Sequence, residues 1–210
     1  MPQRDFGYDV PTMNRLPPVT RALLIANVAI FILQQLTGNL LIGPFALWPF
    51  ATPEFRGAPG FAIWQLLTYG FLHGSLTHLF FNMFALYMFG GEIERVFGPR
   101  RYLQYYFVAV IVAAITQLVV SGVGSATPYP TVGASGGVFG LLLAFGMLFP
   151  RRMIMLIFPP IPMPAWLFVT VYGVLELYLG VTGTSQGVAH FAHLGGMLGG
   201  FLMLRRWRRQ

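Results

Sequence analysis

The 210-residue chain contains no cysteine, so disulfides and thiolate metal sites are excluded and the redox compartment is left open. It contains no lysine either, and all thirteen basic residues are arginine. The only aspartates are Asp5 and Asp9, both near the N-terminus. Charged residues make up 9% of the chain, against about 25% in an ordinary soluble domain. Such scarcity argues against water as the main solvent. The opening stretch "MPQRDFGYDVPTMNRLPP" has no apolar core followed by a small-residue cleavage site, so no removable signal peptide is expected.

What the chain has instead is apolar surface: 56% of its residues are hydrophobic. Long, nearly uncharged stretches recur, each able to cross about 30 Å of hydrocarbon. The expected fold is an all-α membrane protein, a six-transmembrane helical bundle with spans near 19–37, 66–90, 101–121, 135–149, 164–181 and 188–204. "GPRRY" separates spans two and three, and "FPRRM" separates four and five. The membrane domain would cover 19–204, between an N-terminal tail (1–18) and a short basic tail (205–210). The first loop, 39–65, contains "LWPFATPEF", apolar yet too broken by proline to cross, and is expected at the membrane interface.

The arginines orient these spans by the positive-inside rule. Arg4, Arg15 and Arg21 precede or open span one, and Arg95, Arg100 and Arg101 follow span two. Arg151 and Arg152 follow span four, and Arg205, Arg206, Arg208 and Arg209 follow span six. Arg56 alone falls on the other side, and loops 122–134 and 182–187 are uncharged. Both termini are therefore expected in the cytoplasm. The net charge of +7 does not indicate nucleic acid, because no soluble element carries a contiguous basic face. "RRWRRQ" reads as an anchor, with Trp207 and Trp166 as interfacial aromatics.

Polar groups at membrane depth are costly and mark function by default. They are His73, His78 and Asn82 in span two, Ser135 opening span four, Glu176 in span five, and His190 and His193 in span six. At 1.5 Å per residue, the fifteen residues of span four cover about 22 Å, which puts Ser135 about 8 Å below the outer surface. Five-residue offsets bring His193 and His78 to about the same depth. His78 and Asn82, four residues apart, share a helical face and suit an oxyanion site. "HLGGMLGG" carries Gly196 and Gly200 as a G-x-x-x-G surface for close approach to span four, where Gly136, Gly137 and Gly140 are also small. Such approach brings a serine within reach of an imidazole.

Each feature has a plainer reading. "TVGASGGVFG", with Ser135 between Gly133 and Gly136, is by itself a helix-packing surface as well as a nucleophile candidate. Its G-x-S-x-G pattern lacks the strand-turn-helix setting of a hydrolase elbow. His73 and His190 suit structural hydrogen bonds. Glu176 is read as a structural hydrogen bond or a gating group, with no basic partner evident. H-E-x-x-H is absent, which disfavours a zinc protease. Without membrane-embedded aspartates there is neither an aspartyl pair nor a Ser-His-Asp triad, so serine chemistry would run on a dyad. Six spans of uneven length show no paired halves of the transporter kind. No cofactor or metal is expected.

In combination the motifs resemble the rhomboid family of intramembrane serine proteases over spans two to six. "GASGG" is similar to the family's G-x-S-G, "AHLGGMLGG" to A-H-x-x-G-x-x-x-G, and "HLFFN" to H-x-x-x-N, while "GGEIERVFG" is similar to the loop after span two. The resemblance implies Ser135 as nucleophile, His193 as general base, and His78 and Asn82 beside the Ser135 N–H as the oxyanion hole. It also implies Phe139 as the aromatic wall of the imidazole, where the family often has Tyr. Trp64-Gln65 stands where the family often has Trp-Arg. With no carboxylate behind it, His193 is expected to be positioned by packing.

The expected activity is hydrolysis of transmembrane protein substrates near the outer end of the segment, in a multi-pass protein of a bacterial plasma (inner) membrane. Outer loops and span five, with Gly180 and Gly183 as hinges, are candidate gates. The alternative is a non-catalytic rhomboid-like binder of unstable transmembrane helices.

Overall fold

A computed structural model describes residues 16–50, 59–123, 129–156, 159–183 and 188–209. Arg4, Arg15, Arg56, the middle of the first loop (51–58) and residues 124–128 and 184–187 of two uncharged loops lie outside the described residues.

Helix α1 is Pro18–Leu36, followed by the short α2, Ile42–Phe45, and α3, Gln65–Thr68. Helix α4, Leu76–Ala85, runs through a π turn at Leu86–Gly90 into α5, Gly91–Val123. Helix α6 is Ser135–Leu148, α7 is Ala165–Thr182 and α8 is His190–Trp207. An antiparallel hairpin of β1, Met153–Met155, and β2, Pro162–Pro164, links α6 to α7. Among the described residues, three stretches are long and apolar enough to cross a membrane: Pro18–Leu36, Leu76–Gly122 and Ala165–Thr182.

The 47-residue stretch is not one rod. It breaks at Gly98, whose φ of +73° suits glycine, just before Pro99, which cannot continue the hydrogen-bond ladder. The chain turns there, at "GPRRY". Span two also begins later than expected. Leu72 is extended, and Ser75 starts a new helix by accepting the backbone N–H of His78 at 3.1 Å. Residues 66–75 therefore form α3, a 3₁₀ turn and a loop. The hairpin was not foreseen, because "MIM" and "PMP" are too short to show a periodic pattern.

The "GGEIERVFG" stretch ties distant elements together. Glu94 accepts the backbone N–H groups of Val19 and Thr20, at 2.9 and 2.7 Å, and the Thr20 hydroxyl at 2.8 Å. It thus caps α1, whose own sequence offers no capping side chain. Glu92 pairs with Arg152 at 3.0 Å. In the first loop, buried Gln65 accepts the Trp48 N–H at 3.2 Å, so a neutral amide organises the position where a Trp-Arg pair was the comparison. The Leu47–Thr131 bridge then joins this loop to the one leading into α6.

Helix α6 is the central element, with ten of its fourteen residues buried. It reaches that position through glycine. A Cβ on Gly140 would stand 2.5 Å from the Cβ of Ala109 on α5 and 3.2 Å from the Gly196 carbonyl oxygen on α8. A Cβ on Gly196 would overlap the Gly136 backbone, and one on Gly200 would overlap the Tyr105 hydroxyl. Tyr105 donates that hydroxyl to the Gly140 carbonyl at 2.7 Å. By contrast, α7 is peripheral, and only Ala165, Val169 and Glu176 are buried on it. Gly196→Ala is expected to lower the unfolding free energy by about 1–3 kcal/mol, because the obstacle is backbone and cannot swing aside. Thermal unfolding in detergent checks this, and an unchanged transition would contradict the contact.

Candidate active site

Ser135 is the first residue of α6, and α6 starts where it does because of Gly133. Gly133 has φ +127°, and a Cβ there would lie 2.7 Å from Cε1 and 2.8 Å from Nε2 of His78. Two independent constraints therefore demand glycine two residues before the serine. The Gly133 N–H is held by the Tyr69 carbonyl at 2.9 Å, which fixes the loop's approach. The first turn of α6 leaves its N–H groups without intrahelical partners, and that helix end carries partial positive charge.

Across the glycine contact, His193 on α8 meets this serine: Ser135 Oγ lies 2.9 Å from His193 Nε2. The Phe139 ring stacks on the imidazole with centroids 4.2 Å apart and planes 6° from parallel. Phe139 is one turn after Ser135 on α6, so one helix supplies both the hydroxyl and the wall.

One expectation is corrected here. His193 does not rely on packing alone, because its Nδ1 lies 2.9 Å from Glu176 Oε2 on α7. His190 Nδ1 lies 2.6 Å from the same oxygen. Glu176 therefore has two imidazole partners on the neighbouring helix, although none was evident from the sequence. The missing embedded aspartate excludes only one kind of third member, and the acid behind His193 is a glutamate. Counting depth would have found it: Glu176 lies six residues before the end of α7, about 9 Å, close to the level of Ser135 and His193.

His78 and Asn82 stand on the same face of α4. The Gly74 N–H donates to His78 Nδ1 at 3.5 Å, which leaves Nε2 as the proton-bearing nitrogen of the neutral ring, turned toward Gly133. Asn82 Nδ2 donates to the His78 carbonyl at 3.0 Å, and the amide is buried. His73 is fully buried with its ring 5.1 Å from that of His78, edge to face, while its backbone pairs with Gln34. Of the residues picked out in the sequence, Ser135, His193, Phe139, His78 and Asn82 line one cavity of about 1010 Å³, together with Glu176. Gly196 and Gly200 stand behind it at the α6–α8 and α5–α8 contacts.

Glu176, His190 and His193 also hold ligand-type atoms within 4.8 Å of one another. Their N···O separations of 2.6 and 2.9 Å are hydrogen-bond distances. Two ligands on one tetrahedral zinc, each about 2.0–2.1 Å from the ion, stand about 3.3 Å apart. A proton suits these spacings better than a metal. Phe139→Ala is expected to cost about 3 kcal/mol of stability. Phe139→Tyr keeps the ring and is expected to stay within about 1 kcal/mol of the parent. Thermal unfolding of both variants checks this, and equal losses would contradict the stacked wall.

Comparison with known proteins gives a consistent result. The family model for the Rhomboid domain matches residues 60–209. The chain is 27% identical over 206 residues to the Rhomboid protease GlpG of Yersinia pestis (strain Pestoides F), covering 97% of this chain and 67% of that one. It is 29% identical over 190 residues to the Rhomboid protease GluP of Bacillus subtilis (strain 168), covering 90% of this chain and 34% of the relative.

Proposed function

The chain belongs to the rhomboid family, and from that premise we propose that it is an intramembrane serine endopeptidase acting on transmembrane segments of other membrane proteins. The observation that carries this reading is the 2.9 Å hydrogen bond from Ser135 Oγ to His193 Nε2, facing a cavity inside a helical bundle.

His193 Nε2 takes the Ser135 proton as Oγ attacks a peptide carbonyl. The developing oxyanion faces the Ser135 N–H, the Nε2–H of His78 and the amide of Asn82. Removing one such donor typically costs about 10²–10³ in rate. The imidazolium returns the proton to the leaving amine, and water then cleaves the acyl-enzyme with the same histidine as base. A substrate helix hides its carbonyls in its own hydrogen bonds, so local unwinding near its outer end must precede attack. Segments with Gly or Pro and a small residue at the cut are the expected substrates.

The six-span reading treats α1, α4 with the start of α5, the rest of α5, α6, α7 and α8 as the crossings of a membrane domain over 19–204, with 1–18 and 205–210 as cytoplasmic tails. Contacts among the basic ends support this orientation. Arg101 lies 5.7 Å over the Trp207 ring, and Arg152, just after α6, reaches Glu92 at the start of α5. The broad exposed apolar face, including Ile25, Leu36, Val174 and Val181, suits a lipid bilayer. The bacterial relatives favour the plasma (inner) membrane. The lightly buried α7, ending at Gly183 with φ +63°, is the candidate gate.

A fluorophosphonate probe applied to the detergent-purified protein tests this reading. Wild type is expected to be labelled, with labelling lost in Ser135→Ala and reduced at least about a hundredfold in His193→Ala. Asn82→Ala is expected to slow cleavage of a transmembrane reporter by about 10²-fold with the serine still present. A folded wild type that takes no label and cleaves no reporter, yet still captures unstable helices after Ser135→Ala, would instead support the non-catalytic binder.

A further inference from the structure

We propose that Glu176 is a positioning residue for the reaction: its carboxylate binds the Nδ1–H groups of His193 and His190 together, and so selects the tautomer in which His193 Nε2 faces Ser135 as a base. This proposal rests on the protease reading above.

Hydrogen-bond bookkeeping carries it. An ionised carboxylate only accepts, so each nitrogen that meets Glu176 Oε2 must bear a proton. His193, at 2.9 Å, then has its proton on Nδ1, and its Nε2 keeps the lone pair that Ser135 needs. With the opposite tautomer, His193 Nε2–H would point at Ser135 and could not accept its proton. When Nε2 does take that proton, the imidazole becomes a cation with the carboxylate already in contact. The proton then leaves from Nε2 to the departing amine, and Nδ1–H remains in place throughout.

His190 supplies the second constraint. Its Nδ1 stands 2.6 Å from the same oxygen, while its Nε2 is buried with no hydrogen-bond partner among the described residues. Its ring orientation is therefore fixed by Glu176 and not by any bond at the other nitrogen. Gly180 permits the approach, since a Cβ there would lie 3.2 Å from the His190 Cβ. Glu176 is also the only buried residue in the outer half of α7, whose other two, Ala165 and Val169, lie near its start. A glutamate in a lipid-facing helix is costly unless it is paired. The pair chosen here includes the base itself.

The test uses the full chain in detergent or lipid, comparing wild type with Glu176→Gln, Glu176→Asp and His190→Gln. Readouts are kcat and KM on a transmembrane reporter, the rate of fluorophosphonate labelling per folded molecule, and the unfolding temperature. Glu176→Gln is expected to lower kcat and the labelling rate about 10- to 1000-fold, with KM within about twofold. Glu176→Asp keeps the charge at a longer reach and is expected to fall between wild type and Gln. His190→Gln keeps a donor to the carboxylate and is expected to stay within about fivefold of wild type.

A role in packing alone predicts another order, with Gln, closer to Glu in size, tolerated better than Asp, and with activity tracking the unfolding temperature. That order, or a Gln variant within about twofold of wild type per folded molecule, would overturn the proposal while leaving the protease reading intact. An inactive, unlabelled wild type would overturn both. If Glu176→Gln does not fold, the comparison of Asp and His190→Gln with wild type decides: full activity in Asp with the longer reach overturns it.

Discussion

Everything in the site depends on two backbones touching. Where α6 crosses α8, Gly136 and Gly196 leave no room for a single added carbon, and Gly140 and Gly200 continue the contact one turn on. A serine side chain is short, and its hydroxyl reaches an imidazole on another helix only if the axes approach closely. In lipid, where hydrophobic association between helices is weak, such approach comes from small residues and van der Waals packing. The Tyr105 hydroxyl reinforces it by bonding the Gly140 carbonyl from α5. The crossing sets the Ser135–His193 distance, and the surrounding helices orient both groups.

Orientation comes from helix ends. Ser135 begins α6 after a left-handed glycine, Ser75 caps α4 and thereby sets His78, and Glu94 caps α1 from across the chain. The caps on α4 and α1 satisfy backbone donors that lipid cannot. The N-terminus of α6, by contrast, has no side-chain cap, so its first N–H groups remain available to a ligand. Behind His193, Phe139 restrains the plane of the ring, and Glu176 fixes which nitrogen bears the proton. The apolar wall and the acid divide the task between geometry and chemistry.

Much of this was legible in the residues. Scarce charge, long apolar runs and clustered arginines pointed to a helical membrane bundle, and the G-x-x-x-G run after His193 pointed to the close crossing. Counting depth at 1.5 Å per residue brought Ser135, His193 and His78 to one level, and all three line one cavity. Glu176 falls near the same level by this count, but the sequence shows it no basic partner, and the lack of an embedded aspartate points away from an acid behind the histidine. Helix azimuth was the missing quantity, since depth alone does not say which way a side chain points. The break at Leu72–Ser75 was hidden because a 3₁₀ turn and a loop can be as apolar as a helix. The cap from Glu94 to Thr20 joins positions 74 apart, which no local pattern reports.

The central claim is a directed chain of hydrogen bonds, from Ser135 through His193 to Glu176, with the lone pair of His193 on the serine side. ¹⁵N-histidine NMR of the protein in lipid reads this directly, with His73, His78 and His190 assigned by single substitution. At a pH where the imidazole is neutral, the account predicts a proton-bearing Nδ1 and a bare Nε2 on His193. A proton on Nε2 with a bare Nδ1 would contradict it.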